Sequence, residues 1–233
     1  MNIIVTGGSS GIGYETVKAL AGIEGNKIIA IARRKDLLDK LLKECSSIGA
    51  SNVYTFPFDL ESDDFSLALD YVNEKFDYID ILLNNAGLLI NKPFNEITRE
   101  DAERLFNINF YSIVKTIQTF LPLFNNQKAH IVNISSMGGF QGSSKFPGLS
   151  IYSATKAAVA CLSEVLAEEF KSSGISVNCL ALGAVQTSML QNAFPEYKAP
   201  LSSSEISKFI ADFCIHGNKY FNGKILPVSL STP

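Results

Sequence analysis

A chain of 233 residues, 46% hydrophobic and 18% charged, has the composition of a folded globular protein with a sizeable core, which excludes intrinsic disorder. A formal net charge of -3 with no long basic run gives a nucleic-acid backbone nothing to bind, so no nucleic-acid partner is expected. No apolar stretch approaches the ~20 residues of a membrane span, and no membrane partner is expected either.

Taken in chain order, short β-branched runs alternate with longer helical patterns. Strands are expected over 2–6, 27–32, 52–57, 79–84, 129–135, 175–181 and 224–229, with helices over 11–22, 35–48, 61–76, 97–126, 152–173 and 203–215. Strict alternation implies parallel strands joined by right-handed crossovers. Ile28-Ile29-Ala30-Ile31-Ala32 is apolar at every position, as a strand buried on both faces must be. The expected architecture is α/β: a doubly wound parallel sheet of about seven strands in a three-layer α/β/α sandwich. No linker, repeat or low-complexity tract interrupts the chain, so 1–233 is read as one domain, with the Ser-rich pieces at 143–150 and 202–204 as short loops.

Met1 runs directly into Asn2-Ile3-Ile4-Val5-Thr6, without the basic start or cleavage site of a secretory leader. Cys45, Cys161, Cys179 and Cys214 are widely spaced and form no CxxC, so reduced thiols and a cytoplasmic location are expected. His130 and His216 lie far apart, and no His/Cys/carboxylate cluster has metal-ligand spacing; no metal is expected.

The first strand ends in Thr6-Gly7-Gly8-Ser9-Ser10-Gly11-Ile12-Gly13, and a helix follows. Glycines let the backbone turn sharply and approach a pyrophosphate, whose charge the helix N-terminus favours. A glycine pattern alone also fits a tight turn with no ligand, but this one sits at the first strand-to-helix turn of a doubly wound pattern, where dinucleotides bind.

The spacing is G-x-x-x-G-x-G, and Asn84-Asn85-Ala86-Gly87 closes strand four. In both motifs the chain resembles the classical short-chain dehydrogenases/reductases, a family with a Rossmann-type fold. The resemblance implies cofactor contacts from Gly7, Ser9, Ser10, Gly11, Ile12 and Gly13, and from Asn85, Ala86 and Gly87. Asp59, beside Leu60 after strand three, matches a position that contacts the adenine ring in that family. Asp59 also reads as the N-cap of the helix over 61–76, and both can hold.

The family's catalytic signature is a Tyr with a Lys four residues on. Five pairs here have that spacing: Tyr14/Lys18, Tyr71/Lys75, Tyr111/Lys115, Tyr152/Lys156 and Tyr220/Lys224. Residues i and i+4 share a helix face, so most such pairs are surface neighbours. Position selects Tyr152, which begins the helix after strand five, above a strand ending in Ser135-Ser136. A free phenol titrates near ~10, too high for acid/base work at neutral pH. A fixed Lys156 cation one turn away, with oxidised nicotinamide, would favour the phenolate. By resemblance Lys156 also holds the nicotinamide ribose. Ser136 would fix the substrate oxygen, and is chosen over Ser135 because Ser136-Met137-Gly138-Gly139 aligns with the family's Ser-x-x-Gly. Asn109 matches the fourth catalytic residue, which orders a water that links the lysine to solvent. Asn107 is the alternative if the alignment slips by two, and a polar residue satisfied inside a helix is the plain reading.

After strand six, Leu182-Gly183-Ala184-Val185-Gln186-Thr187 resembles the loop that clamps the nicotinamide carboxamide, with contacts expected from Gly183, Val185 and Thr187; Leu182 replaces the usual proline. A short lid over 188–203 is expected to cover the substrate. Strand two ends in Ala32, where NAD enzymes carry an acid, and Arg33 and Arg34 follow. NADP(H) is therefore the expected cofactor, with NAD(H) the other possibility. The helices over 97–126 and 152–173 form a dimer interface in relatives, which implies a homodimer or homotetramer. The ending 227–233 lacks the family's glycine-rich tail. The expected function is hydride transfer between the nicotinamide and a small-molecule carbonyl or secondary alcohol. A catalytically silent NADP(H)-binding regulator is the alternative, and an epimerase or dehydratase of the extended branch a third; the ~45 residues after Thr187 are too few for a sugar-nucleotide domain.

Overall fold

The computed structural model describes residues 1–126 and 128–230. Of the ending 227–233, residues 231–233 lie outside the described residues. Seven parallel strands form the central sheet: β1 (Asn2–Thr6), β2 (Lys27–Ala32), β3 (Val53–Pro57), β4 (Ile81–Asn84), β5 (Ala129–Ser136), β6 (Ile175–Leu182) and, after two short strands, β9 (Ile225–Val228). Their order is β3-β2-β1-β4-β5-β6-β9. This is the expected doubly wound Rossmann-type sheet, and its winding reverses between β1 and β4.

Alternation along each strand explains the uninterrupted apolar runs. Ile3, Val5, Ile28 and Ala30 enter one core with Val17, Leu20, Leu38 and Leu41, which come from helices α1 (Gly11–Ala21) and α2 (Lys35–Ser47). Their neighbours Ile4, Ile29 and Ile31 enter the other core. Its helical wall is α3 (Phe65–Lys75), α5 (Ser112–Phe120) and α6 (Ser150–Glu169), with Val72, Ile117 and Val159 in it. Both faces of the sheet are therefore covered, as parallel sheets require. Helix α8 (Ser203–His216) covers the first face beside α1.

Several boundaries differ from expectation, each for a local reason. Strand four does not begin at 79. Ile79 makes only an isolated bridge to Phe124, and the Asp80 carboxylate accepts the N–H of Asn2 at 2.8 Å. Helix α3 starts at Phe65 because Asp64, not Asp59, caps it, accepting the Ser66 N–H at 3.0 Å. Asp59 instead accepts the Glu61 N–H at 3.1 Å in a tight turn. The helix expected over 97–126 is three pieces: α4 (Arg99–Phe106), a π-helical turn (Asn107–Tyr111) and α5, ending in a 3-10 turn. Helix α6 begins two residues before Tyr152, which puts the tyrosine in its first turn. Two short strands, β7 (Val185–Gln186) and β8 (Leu201–Ser202), pair in parallel, and helix α7 (Ser188–Ala193) lies between them. The serines at 202–204 are not a loop: Ser202 and Glu205 form a capping box that starts α8.

No described helix is long and apolar enough to cross a membrane. The four cysteines carry no disulfide, and among the described residues no group of three or more His, Cys, Asp or Glu could hold a metal.

His130 on β5 is fully buried. Its Nδ1 lies 2.9 Å from the carbonyl oxygen of Cys214, and its Nε2 lies 3.0 Å from the amide nitrogen of Asn178. These partners fix the tautomer with the hydrogen on Nδ1. Burial, partly opposed by the Cys214 carbonyl, pushes the imidazole down to about 4. A pKa depressed on folding means that the unfolded chain binds the extra proton first, so this contribution to stability is complete above pH ~6.5 and is lost on acidification toward 4. Denaturant titrations should show His130→Gln losing less stability than wild type between about pH 7 and 5, by on the order of 2 kcal/mol. Parallel pH profiles would overturn this assignment.

Candidate active site

The site is assembled where β1 and β4 end side by side. Gly7 leaves β1 with φ 71, and a Cβ there would stand 2.8 Å from the Cα of Ala86. The Thr6 hydroxyl accepts the N–H groups of Asn85 and Ala86 at 3.1 and 3.2 Å. The Asn85 amide returns two hydrogen bonds, to the carbonyls of Thr6 and Gly7 at 3.1 and 3.3 Å. Gly13 does not line the cleft; a Cβ on it would meet the Gly7 carbonyl oxygen and Asn85 Nδ2 at 2.4 Å, so its bareness lets α1 press against the turn. Ser10 is the N-cap of α1 yet makes no side-chain cap bond, and the first turn carries no acid. The helix N-terminus is thus left open to an anion, and Ser9, Gly11 and Ile12 line the cleft in front of it.

At one end of the cleft Ala32 is buried and Arg33 and Arg34 are exposed. The Arg34 guanidinium folds back over the glycine loop and donates to Ser10 Oγ at 2.9 Å. Asp59 and Leu60 line this end as well, with Phe58 and Glu61, which the sequence reading did not single out.

At the other end the two serines of β5 separate. The Ser135 hydroxyl is buried and donates to the carbonyl of Lys156 at 2.7 Å. Ser136 faces the cleft, accepting the Gly138 N–H at 3.1 Å. Tyr152 and Lys156 lie one turn apart on α6 and line the same cleft. Lys156 is only 4% exposed, stands 5.9 Å from the Tyr152 ring centre, and donates to the Ile134 carbonyl at 2.9 Å. Burial pushes its ammonium down to about 8, which leaves it a cation at neutral pH. The buried Cys179 thiol beside it is pushed up to about 11 and stays neutral, the Lys156 cation only partly offsetting burial. Burial raises the Tyr152 phenol and its hydrogen bond to Ser136 only partly offsets this, opposite to the lowering expected from the Lys156 cation. The tyrosines of the other four Tyr/Lys pairs lie elsewhere: Tyr14 is pressed against Glu44, Tyr71 donates to the Thr55 carbonyl, and Tyr111 and Tyr220 are exposed.

Asn109 sits inside the π turn, fully buried. Its Oδ1 accepts the Leu88 N–H at 2.7 Å, and its Nδ2 donates to the Leu88 carbonyl and to Thr155 Oγ1 at 2.9 and 3.1 Å. Thr155 in turn donates to the Tyr152 carbonyl at 2.7 Å. Asn107 is exposed, whereas Asn109 is buried, and neither of the two lines the cleft. Thr155 was not read from sequence; nothing but its place beside Lys156 marked it.

Gly183, Val185 and Thr187 line the cleft after β6. Thr187 caps α7, accepting the Leu190 N–H at 3.2 Å. The β7–β8 pairing holds the two ends of the 188–203 segment together, and Asn91 Nδ2 donates to the Ala193 carbonyl at 2.8 Å. The whole cleft holds about 550 Å³.

A glycine turn at the winding reversal, sharing one cleft with a Ser/Tyr/Lys edge, defines a doubly wound dinucleotide-binding protein with acid/base groups beside the crevice. A family model described as short chain dehydrogenase matches residues 1–198. A fatty acyl-CoA reductase of Mycobacterium tuberculosis is 32% identical over 192 residues, 81% of this chain; the chain spans 64% of that relative's length. The uncharacterized oxidoreductase YvrD of Bacillus subtilis is 32% identical over 213 residues, covering 91% of this chain and 78% of the relative. A short chain dehydrogenase from Shigella flexneri, solved in complex with NADP, superposes with a TM-score of 0.88 at 25% identity, over 97% of this chain and 95% of the other. The chain belongs to the short-chain dehydrogenase/reductase family and is an oxidoreductase of that family.

Gly13 gives a test of the corner. Gly13→Ala should destabilise the protein by about 1–3 kcal/mol, because its methyl group has no space. Gly22→Ala, whose Cβ would meet nothing closer than 3.7 Å, should change little. Thermal melts of both variants check this; equal melting temperatures would contradict the packing described.

Proposed function

We propose that the protein is a cytoplasmic NADP(H)-preferring oxidoreductase that interconverts a carbonyl compound and a secondary alcohol, with Tyr152 as the acid/base. Residues 1–233 act as one domain, working as a homodimer or homotetramer. The observation that carries the reading is that Ser136, Tyr152 and Lys156 line the same cleft as the glycine loop. The glycine loop fits a dinucleotide, since its helix N-terminus has neither a capping side chain nor a first-turn acid. Gly7, Ser9, Ser10, Gly11 and Ile12 would hold the pyrophosphate, Gly13 would let the loop close, and Asp59 and Leu60 would take the adenine. Asn85, Ala86, Gly87, Gly183, Val185 and Thr187 would hold the nicotinamide half.

When bound, the nicotinamide supplies or accepts the hydride. The Tyr152 hydroxyl gives its proton to the substrate oxygen in reduction and takes it back in oxidation. Ser136 donates to that same oxygen and holds it within reach of the phenol. The Lys156 cation stabilises the phenolate that remains. Asn109 holds the Leu88 backbone and Thr155, and through Thr155 the first turn of α6 that carries Tyr152. Both amide hydrogens of Asn109 are engaged, so the relay water expected there would donate to its Oδ1, which accepts only the Leu88 N–H.

A carboxylate at position 32 would repel a 2′-phosphate, whereas Ala32 leaves room for it and the two arginines offer it charge-assisted bonds. Arg34 already stands over the glycine loop.

Tyr152→Phe should bind cofactor normally and lose about 10²–10⁴-fold in kcat, while Tyr111→Phe stays near wild type. A Tyr152→Phe variant that keeps its activity in a carbonyl-reduction assay would end this reading. For the cofactor, Arg33→Ala and Arg34→Ala should each lose about 1.5–3 kcal/mol in kcat/KM with NADPH and little with NADH, and Ala32→Asp should invert the preference. Wild type favouring NADH, or an unchanged ratio in all variants, would refute it.

A further inference from the structure

The cleft is charged at one end only. Among the described residues lining it, the charged ones are Arg33, Arg34, Asp59, Glu61 and Lys156. The first two follow β2 and the next two follow β3. In the strand order, β2 stands three strands from β5, and β3 stands four. At ~4.8 Å per strand these four groups lie roughly 14 to 19 Å from the edge that carries Ser136. Lys156 is the one charged residue at the Ser136 end, and it is buried, with its Nζ engaged by the Ile134 carbonyl. Leu88, Leu89 and Phe146 line the cleft from the loops after β4 and β5, and Met189, Leu190 and Phe194 line it from the lid, which adds the uncharged polar residues Ser188, Asn192 and Tyr197. Glu196 and Lys198 flank Tyr197 in the lid, yet neither lines the cleft.

A carboxylate or phosphate brought here would lose its hydration with no free cation to meet it. A polyhydroxylated body would find Ser188, Asn192 and Tyr197 for some of its hydroxyls and apolar side chains for the rest, which would stay unpaired. An apolar body gains from every methylene removed from water. We infer that the substrate has an uncharged, apolar body next to the reacting carbon, and that Phe146 and Phe194, facing it from the core loop and the lid, set that preference. This rests on the oxidoreductase reading proposed above for Tyr152 and its neighbours.

The test is calorimetric binding to the protein loaded with oxidised NADP, which has no hydride to give a ketone, using linear methyl ketones of increasing length, 2-oxo acids of matched length, and a ketohexose. Ketone affinity should rise about fourfold per added methylene until the cleft is full. The 2-oxo acids and the ketohexose should bind at least ~100-fold more weakly than the longest ketone. Phe194→Arg should weaken the long ketone about tenfold or more and strengthen the 2-oxo acids. Flat affinity along the ketone series, tighter binding of the acids or the sugar to wild type, or no binding at all would overturn the inference. Turnover of the same compounds with NADPH separates the two claims. Binding in the expected order without any turnover overturns the proposed catalysis and leaves the substrate class standing. Turnover that prefers the acids or the sugar does the reverse.

Discussion

Strands β1 and β4 lie side by side, but the chain leaves them in different directions, one into α1 and the other into the long loop toward α4. The ladder cannot satisfy the backbone groups past the strand ends. Thr6 and Asn85 do so instead: one hydroxyl accepts two amides, and one side-chain amide covers two carbonyls. Any of these groups left unpaired would cost about 1–3 kcal/mol. Both halves of the site are referenced to this corner. It fixes the Gly7 turn, against which Gly13 seats α1. Two residues past Asn85, a side chain on Gly87 would meet Asn109 Oδ1 at 3.4 Å and Lys156 Nζ at 3.5 Å. The glycine turn and the buried Lys156 are thus held in register by one small polar knot.

The layered sheet was legible because its signal is redundant. The cores of β1, β2 and β4 are apolar on both faces, and the helices return in alternation with the strands. The glycine turn and the Tyr152/Lys156 pair were legible for a different reason, since topology assigns them to the same edge. Five Tyr/Lys spacings looked alike as text, and only the position after β5 distinguished one. Neighbouring strand residues face opposite ways, so the Ser135 hydroxyl turns to the α6 backbone while the Ser136 hydroxyl accepts the Gly138 N–H.

What sequence did not disclose depends on contacts distant along the chain. The π turn arises where Asn109 is drawn in to pair with Leu88, and periodicity alone reads straight through it as one helix. The cap of α3 moved from Asp59 to Asp64 because both are acceptable caps and only the path of the loop decides. The two-stranded β7–β8 ribbon is too short to leave a pattern. Lys156 is likewise illegible as a buried cation; its stem reads as an ordinary helical residue, while in the fold it is held by a carbonyl, with no carboxylate bonded to it.

That ribbon has a further consequence. By pairing Val185 with Leu201 and Gln186 with Ser202, it closes the intervening segment into a ring whose ends are pinned before any ligand arrives. The entropy of bringing those ends together is spent during folding, and it grows only slowly with the number of residues enclosed. Residues can be added to or removed from the ring without moving the sheet, the glycine turn or the tyrosine. The fold therefore carries a segment free to vary in length on a fixed frame, and the part of the cleft wall that it supplies can change while the strand ends beneath it stay in place.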